Sequence, residues 1–305
     1  MKPSLNATSL MRSTLQASIA AVAAIGIAQA MPAASYAGSL INGWNYASDS
    51  PNDGSNYGVM GGNDNPYEIY GMGIKVTNSL IYVGVRANNQ YGTDMTDNGI
   101  AWGDLFFDFN AGSGYQPAGK QYSYAVRFRS DYAANDNGMQ RGVYQNAQGL
   151  AGQTNDRFTS LSQYANAVTG GGGSASIGDL AVNSAYYPQN AEINTTIDYN
   201  NKGAYLGGIT DLDSTQLAAL GFPSASAGNG NSFGFSFARP ASFNINAGFT
   251  ASLFWQCIND SVAVQQQASR AVPLPALAWG VFAAAGFGAA NLARKKKQAE
   301  KNLSA

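Results

Sequence analysis

Two runs decide the fold: Tyr67-Glu68-Ile69-Tyr70-Gly71-Met72-Gly73-Ile74-Lys75-Val76, and Ile81-Tyr82-Val83-Gly84-Val85-Arg86-Ala87. Tyr70, Met72, Ile74 and Val76 recur at every second position, and so do Ile81, Val83, Val85 and Ala87. A period of two places each set on one face of a strand, and Asn78-Ser79 supplies the turn of a hairpin. The same alternation spreads outward. In 102–109, Leu105, Phe107 and Phe109 share one face; Trp102, Asp104, Phe106 and Asp108 share the other. Tyr122, Tyr124, Val126 and Phe128 predict a fourth strand, with Arg127 and Arg129 turned the opposite way. Near the end, Phe233, Phe235 and Phe237 alternate with small residues. Phe249, Ala251, Leu253, Trp255 and Cys257 alternate with Thr250, Ser252, Phe254 and Gln256. Asn259-Asp260 turns the chain into a last strand begun by Val262 and Val264.

Between these runs the signals are shorter. Residues 43–65 are rich in turn formers, and 139–146, 193–199 and 204–209 read as short strands. Phe158, Leu161, Tyr164, Ala165 and Val168 follow helical spacing, which the glycines at 170–173 end. Asp213 and Gln216 form a capping-box pattern, and Gly221 stands where a C-cap belongs, so a two-turn helix is expected over 214–220. Many short strands with two short helices predict an all-β chain, an antiparallel β-sandwich of the jelly-roll kind.

The ends differ from this body. Residues 1–37 read as a secretory signal: Lys2 and Arg12 are its charged part and 17–28 its apolar core. Ala28-Gln29-Ala30 and Ser35-Tyr36-Ala37 both offer small residues for cleavage; Pro32 favours a cut after Ala37. An uncleaved anchor helix is the other reading. At the far end stand Val272-Pro273-Leu274-Pro275-Ala276, an apolar run over 277–293, and Arg294-Lys295-Lys296-Lys297. At about 1.5 Å per residue the run makes a helix just long enough to cross a thin bilayer. The basic cluster keeps its end cytoplasmic, so the body is expected on the other side. The division is therefore 1–37 signal, 38–264 sandwich, 265–271 linker and 272–305 tail.

Composition excludes several chemistries. The chain has no histidine, which removes His-ligated zinc, Ser-His-Asp triads and Cys-His pairs. Cys257 is the only cysteine, so no internal disulfide forms; on the apolar face of its strand it reads as a buried, inert thiol. Residues 38–271 carry 10 Lys/Arg against 17 Asp/Glu, a net charge of about −7, which argues against nucleic acid as a partner.

Three sites were open to the residues that remain. Glu68 with Asp104 or Asp108 could form the carboxylate pair of a glycoside hydrolase. Asp104 and Asp108 lie four apart on one strand, roughly 13 Å, too far to be that pair alone; a salt bridge with Arg127 or Arg129 is the structural alternative. No cofactor is called for, but hard cations take Asp, Asn and carbonyl oxygens, so a structural calcium is the one ion the loops could hold. The loops of that composition are 49–54, 63–65, 94–99 and 131–138. None fits an EF-hand: counted from Asp49, Pro51 falls at the third position and Met60 at the twelfth. Asn, Asp and Gly also build tight turns for conformational reasons. Third, Trp44, Tyr46, Tyr57, Tyr67, Tyr70, Trp102, Tyr115, Tyr144, Tyr186 and Tyr187 supply rings that could stack on sugars, Trp44, Tyr46, Tyr186 and Tyr187 being the candidate glycan contacts. The competing reading makes most of them core residues.

The tail resembles the VPLPA-type PEP-CTERM sorting signals of Gram-negative bacteria, through 272–276, Trp279, the Gly-rich apolar run and the 294–297 cluster. The body is similar to the XDD group of exosortase-dependent surface proteins. The segments that carry this are 43–47, 67–72, 102–107, 142–146, 206–209, 234–237 and 257–260. The resemblance implies an exported protein held briefly in the inner membrane, cut by an exosortase, and left at the cell surface or in the exopolysaccharide. It implies no catalytic residue. A carbohydrate-binding module, a glycoside hydrolase and a permanent single-span membrane protein are the alternatives.

Overall fold

The computed structural model describes residues 38–89, 100–110, 114–115, 120–129, 138–151, 158–223 and 230–268. The expected signal with Ala37, the motif Val272 to Ala276 and the cluster Arg294 to Lys297 lie outside the described residues, as do the loops 94–99 and 131–137. The chain divides at Gln267 into a body and a tail. Among the described residues no helix is long and apolar enough to cross a membrane.

The body is built from antiparallel strands. The first six are β1 (Ser39–Ile41), β2 (Trp44–Ser48), β3 (Ser55–Asn56), β4 (Val59–Met60), β5 (Ile69–Val76) and β6 (Leu80–Ala87). Next come β7 (Leu105–Asp108), β8 (Gln121–Arg127), β9 (Gly142–Ala151), β10 (Asn194–Ile197), β11 (Ala204–Gly207) and β12 (Thr210–Leu212). The last are β13 (Asn231–Ala238), β14 (Phe249–Phe254) and β15 (Ser261–Gln266). One sheet runs β1-β2-β5-β6-β13-β12; the other runs β10-β9-β8-β7-β14-β15, with β11 also on β9. The hairpin that opened the sequence reading is β5–β6, with Val76 opposite Ile81.

The alternating residues of the two sheets meet in one core. Ile81, Val83, Val85, Phe233, Phe235 and Phe237 come from the first sheet. Leu105, Phe107, Val126, Ala251, Leu253, Val262 and Val264 come from the second. Each such side chain taken out of water contributes about 1.5–3 kcal/mol. Both outer faces are covered as well. Helix α1 (Leu161–Gly170), capped by Ser160 Oγ, lays Leu161, Tyr164 and Val168 over the second sheet beside Phe106, Ala125 and Phe254. Helix α2 (Ser214–Ala219) places Leu217 over the first sheet, with Trp44, Tyr46 and Phe222. Its capping box between Asp213 and Gln216 is the expected one.

Strict alternation fails at three places. Tyr70 is skipped in the ladder between Ile69 and Gly71, so this bulge turns its ring away from the core that Ile69 and Met72 enter. Tyr122 leaves the face of Tyr124 and joins the outer cluster. Its partner β9 also changes faces there, at Asn146, whose φ is 56°. Trp102 lies outside β7, bridges Trp255 and enters the inner core, not the face of Phe106.

Other corrections follow from burial and pairing. Residues 43–65 contain a true strand, β2. Arg127 and Arg129, though charged, are buried. Residues 139–141 precede β9, and the strand over 204–209 ends at Gly207. Finally, β15 continues through Gln266, because Gln265 and Gln266 pair with Thr250 and Phe249; the linker therefore begins two residues later than expected.

Candidate metal centre

Four carboxylates converge where the two sheets meet. Asp49 directly follows β2, and Asp53 lies in the loop before β3. Glu68 directly precedes β5, and Asp260 directly precedes β15. The first three thus come from the first sheet's side and the last from the second. Asp49, Asp53 and Asp260 each offer an oxygen within 4.8 Å of the others.

At least one oxygen of each group is held by the fold. Ser176 Oγ and the Gly178 N–H, at 3.0 Å, donate to Asp49 Oδ1. The Ser176 N–H donates to Asp53 Oδ2 at 2.7 Å, and the Gly54 N–H to Glu68 Oε2 at 2.9 Å. Asp260 accepts at both oxygens: Ile69 N–H at 2.7 Å on Oδ2, Ser261 N–H at 2.7 Å and Tyr164 O–H at 3.2 Å on Oδ1. The other oxygens of the first three have no hydrogen bond of normal geometry, although the Ser50 N–H and the Tyr164 O–H lie close enough to favour the charged forms of Asp49 and Asp53. Asp49 Oδ2, Asp53 Oδ1 and Glu68 Oε1 are sealed from solvent without a hydrogen-bond partner. Asp53, Glu68 and Asp260 are wholly buried; Asp49 is half-buried as a residue, yet its Oδ2 is out of reach of water.

This arrangement holds the protons of the four acids tightly. Burial raises Asp49 to about 7, against the lowering hydrogen bonds from Ser176 and Gly178. Burial, then the charge of Asp49, lifts Asp53 to about 9. Burial lifts Glu68 to about 8, with Asp49 adding to the rise. Asp260 is pushed well above the usual range by burial and by the charges of Asp53, Asp49 and Glu68. Desolvation is the first cause in all four, and repulsion from neighbouring acids adds to it for Asp53, Glu68 and Asp260. Such a set can either share protons or surround a hard cation, and its all-oxygen composition suits calcium, magnesium or manganese over softer metals.

The candidate glycan contacts are corrected by burial. Trp44 and Tyr46 are 0% and 6% exposed, Tyr186 and Tyr187 9% and 2%, so no sugar face reaches them. Trp44 and Tyr46 pack edge-on against Phe222, and Trp44 Nε1–H donates to Leu220 O at 3.1 Å. Tyr187 packs on Phe254. Of the ten rings singled out in the sequence, only Tyr57 is exposed.

The three acids weighed for a hydrolase each bond to a different part of the fold. Glu68 belongs to the cluster above. Asp108 pairs with Lys120 at 2.6 Å and accepts from Tyr186 O–H at 3.0 Å. Asp104 Oδ2 accepts from the Ile197 N–H at 2.7 Å. Cys257 is buried in the inner core. Sequence reasoning singled out the 49–54 loop and Glu68, but for different chemistry, and it took Asp260 as a plain turn residue. An acid directly before an apolar strand, next to Asn259, was the one available signal. No protein-family model, no curated protein and no solved structure matches the chain.

Proposed function

We propose that this is an exported, non-enzymatic protein of the bacterial surface or exopolysaccharide matrix, cut free of the inner membrane by an exosortase. The observation that carries this reading is the order of features after the body. The last described strand ends at Gln266; in the sequence Val272 to Ala276, the apolar run, and Arg294 to Lys297 follow in that order. A cutting enzyme at the membrane surface needs its motif between the body and the apolar run, which is where 272–276 stands in the sequence. The acidic, histidine-free body fits an extracellular scaffold. The jelly-roll class is kept as part of the proposal: β6–β13 and β7–β14 join early strands to late ones, as Greek-key crossovers do. Burial of Trp44, Tyr46, Tyr186 and Tyr187 weighs against the carbohydrate-binding alternative, which keeps only Tyr57 exposed among the ten rings.

Mass spectrometry of the protein from culture medium tests the reading. The expected C-terminus falls between Pro273 and Ala276. Extracellular protein that still yields peptides containing Trp279 and Phe282 would sink the processing step, and protein found only in membranes would favour a permanent single span.

A further inference from the structure

We propose that Asp49, Asp53, Glu68 and Asp260 bind one calcium ion, which fastens the two sheets to each other. This goes beyond the export reading and does not depend on it.

Three features carry it. First, the spacing is that of a coordination sphere. Calcium–oxygen bonds of about 2.3–2.6 Å put opposed ligands roughly 5 Å apart, and Asp49, Asp53 and Asp260 offer oxygens within 4.8 Å of one another. Second, Glu68, outside that triad, is wholly buried and has Oε1 without a partner, while its charge bears on both Asp53 and Asp260. An isolated buried carboxylate oxygen is costly, and three in one place call for a common positive partner. Third, the remaining oxygens of Asp49, Asp53 and Glu68 are fixed by Ser176, Gly178 and Gly54, and Asp260 is fixed at both oxygens by Ile69, Ser261 and Tyr164. Carboxylates held at one oxygen with the other free are arranged as metal ligands supported by an outer shell usually are.

The donor set selects the ion. Four carboxylates without histidine or thiol favour a hard cation. Magnesium keeps several waters and strict octahedral geometry, which suits a site with one or two carboxylates. Calcium accepts more protein oxygens, in irregular geometry, and is the occupant that a buried four-acid site fits. Two charges on the ion offset most of the repulsion among the acids.

The test uses the full chain, purified in detergent and stripped with chelator. Calcium is expected to bind at one equivalent in calorimetry. At about a hundredfold excess over Kd it should raise Tm by about 5–10 °C. Magnesium should need a much higher concentration. Terbium should give sensitised emission through Tyr164, whose hydroxyl touches Asp260, and calcium should quench it by displacement. Asp53→Asn should weaken calcium binding at least about tenfold yet melt higher than the parent in chelator at neutral pH, because the amide is neutral without taking up a proton on folding. No saturable calcium or terbium binding by the parent protein would overturn the proposal. So would equal responses to calcium and magnesium, or an Asp53→Asn protein that binds calcium like the parent.

Discussion

Gly54 shows how closely the acids are packed. A Cβ at this position would meet Glu68 Cα and Oε2 at 2.8 Å and Glu68 N at 2.9 Å, mostly backbone that cannot step aside. Gly54→Ala is therefore expected to destabilise the body by about 1–3 kcal/mol, as overpacking does, measured by urea unfolding with calcium present. An unchanged midpoint would mean that Glu68 is not pinned there. Gly178 does its part differently: at φ +55 it aims its N–H at Asp49 from a conformation that side chains rarely adopt. At this scale the sequence was half legible. Glu68 and the 49–54 loop stood out for their chemistry. Asp260 did not, because nothing local reveals that residue 260 reaches Tyr164 and the N–H of Ile69.

Among the elements, helix α2 was read in full because its signals are local. Asp213 and Gln216 satisfy each other's backbone N–H groups, and Leu217 turns inward. Asp213→Ala should cost about 1 kcal/mol by losing one cap, seen as a lower denaturation midpoint; a loss near zero would show that packing of Leu217 alone holds the helix. Strand β2 was missed for the opposite reason. Trp44 and Tyr46 face the cluster under α2 while Ala47 faces the inner core beside the buried amide Asn45, and five residues are too short a run for that pattern to stand out among the surrounding turn formers. Strands β5 and β6 were legible through Met72, Ile74 and the run from Ile81. The Tyr70 bulge was not, since an inserted residue shifts the ladder without changing the local pattern.

For the molecule as a whole, the acids set a pH response. Unfolded, they release their protons near 4; folded without metal, Asp49, Glu68 and Asp53 hold theirs to about 7, 8 and 9. The folded state then binds more protons across that window, so its stability falls as pH rises. Metal-free protein is expected to lose Tm steadily between about pH 5 and 9. Saturating calcium should flatten or reverse the slope, because the ion replaces the protons. Thermal melts at stepped pH, with and without calcium, decide this; identical slopes would place the acids' protons elsewhere. The covered outer faces explain why surface aromatics could not be told from core in advance. Two antiparallel sheets with helices and loops over their outer faces bury rings that the sheets alone would expose.

Sequence separation gives the cluster a built-in delay. Three of its members precede residue 70, whereas the bond from Ile69 to Asp260 spans 191 positions. A chain emerging N-terminus first carries an unfinished clasp until nearly the whole body has followed. The early hairpin can zip at once, but the joint between the layers cannot lock. A polypeptide that must be threaded through a narrow conduit gains from this timing: it stays pliable during passage and stiffens only after its last strand has arrived.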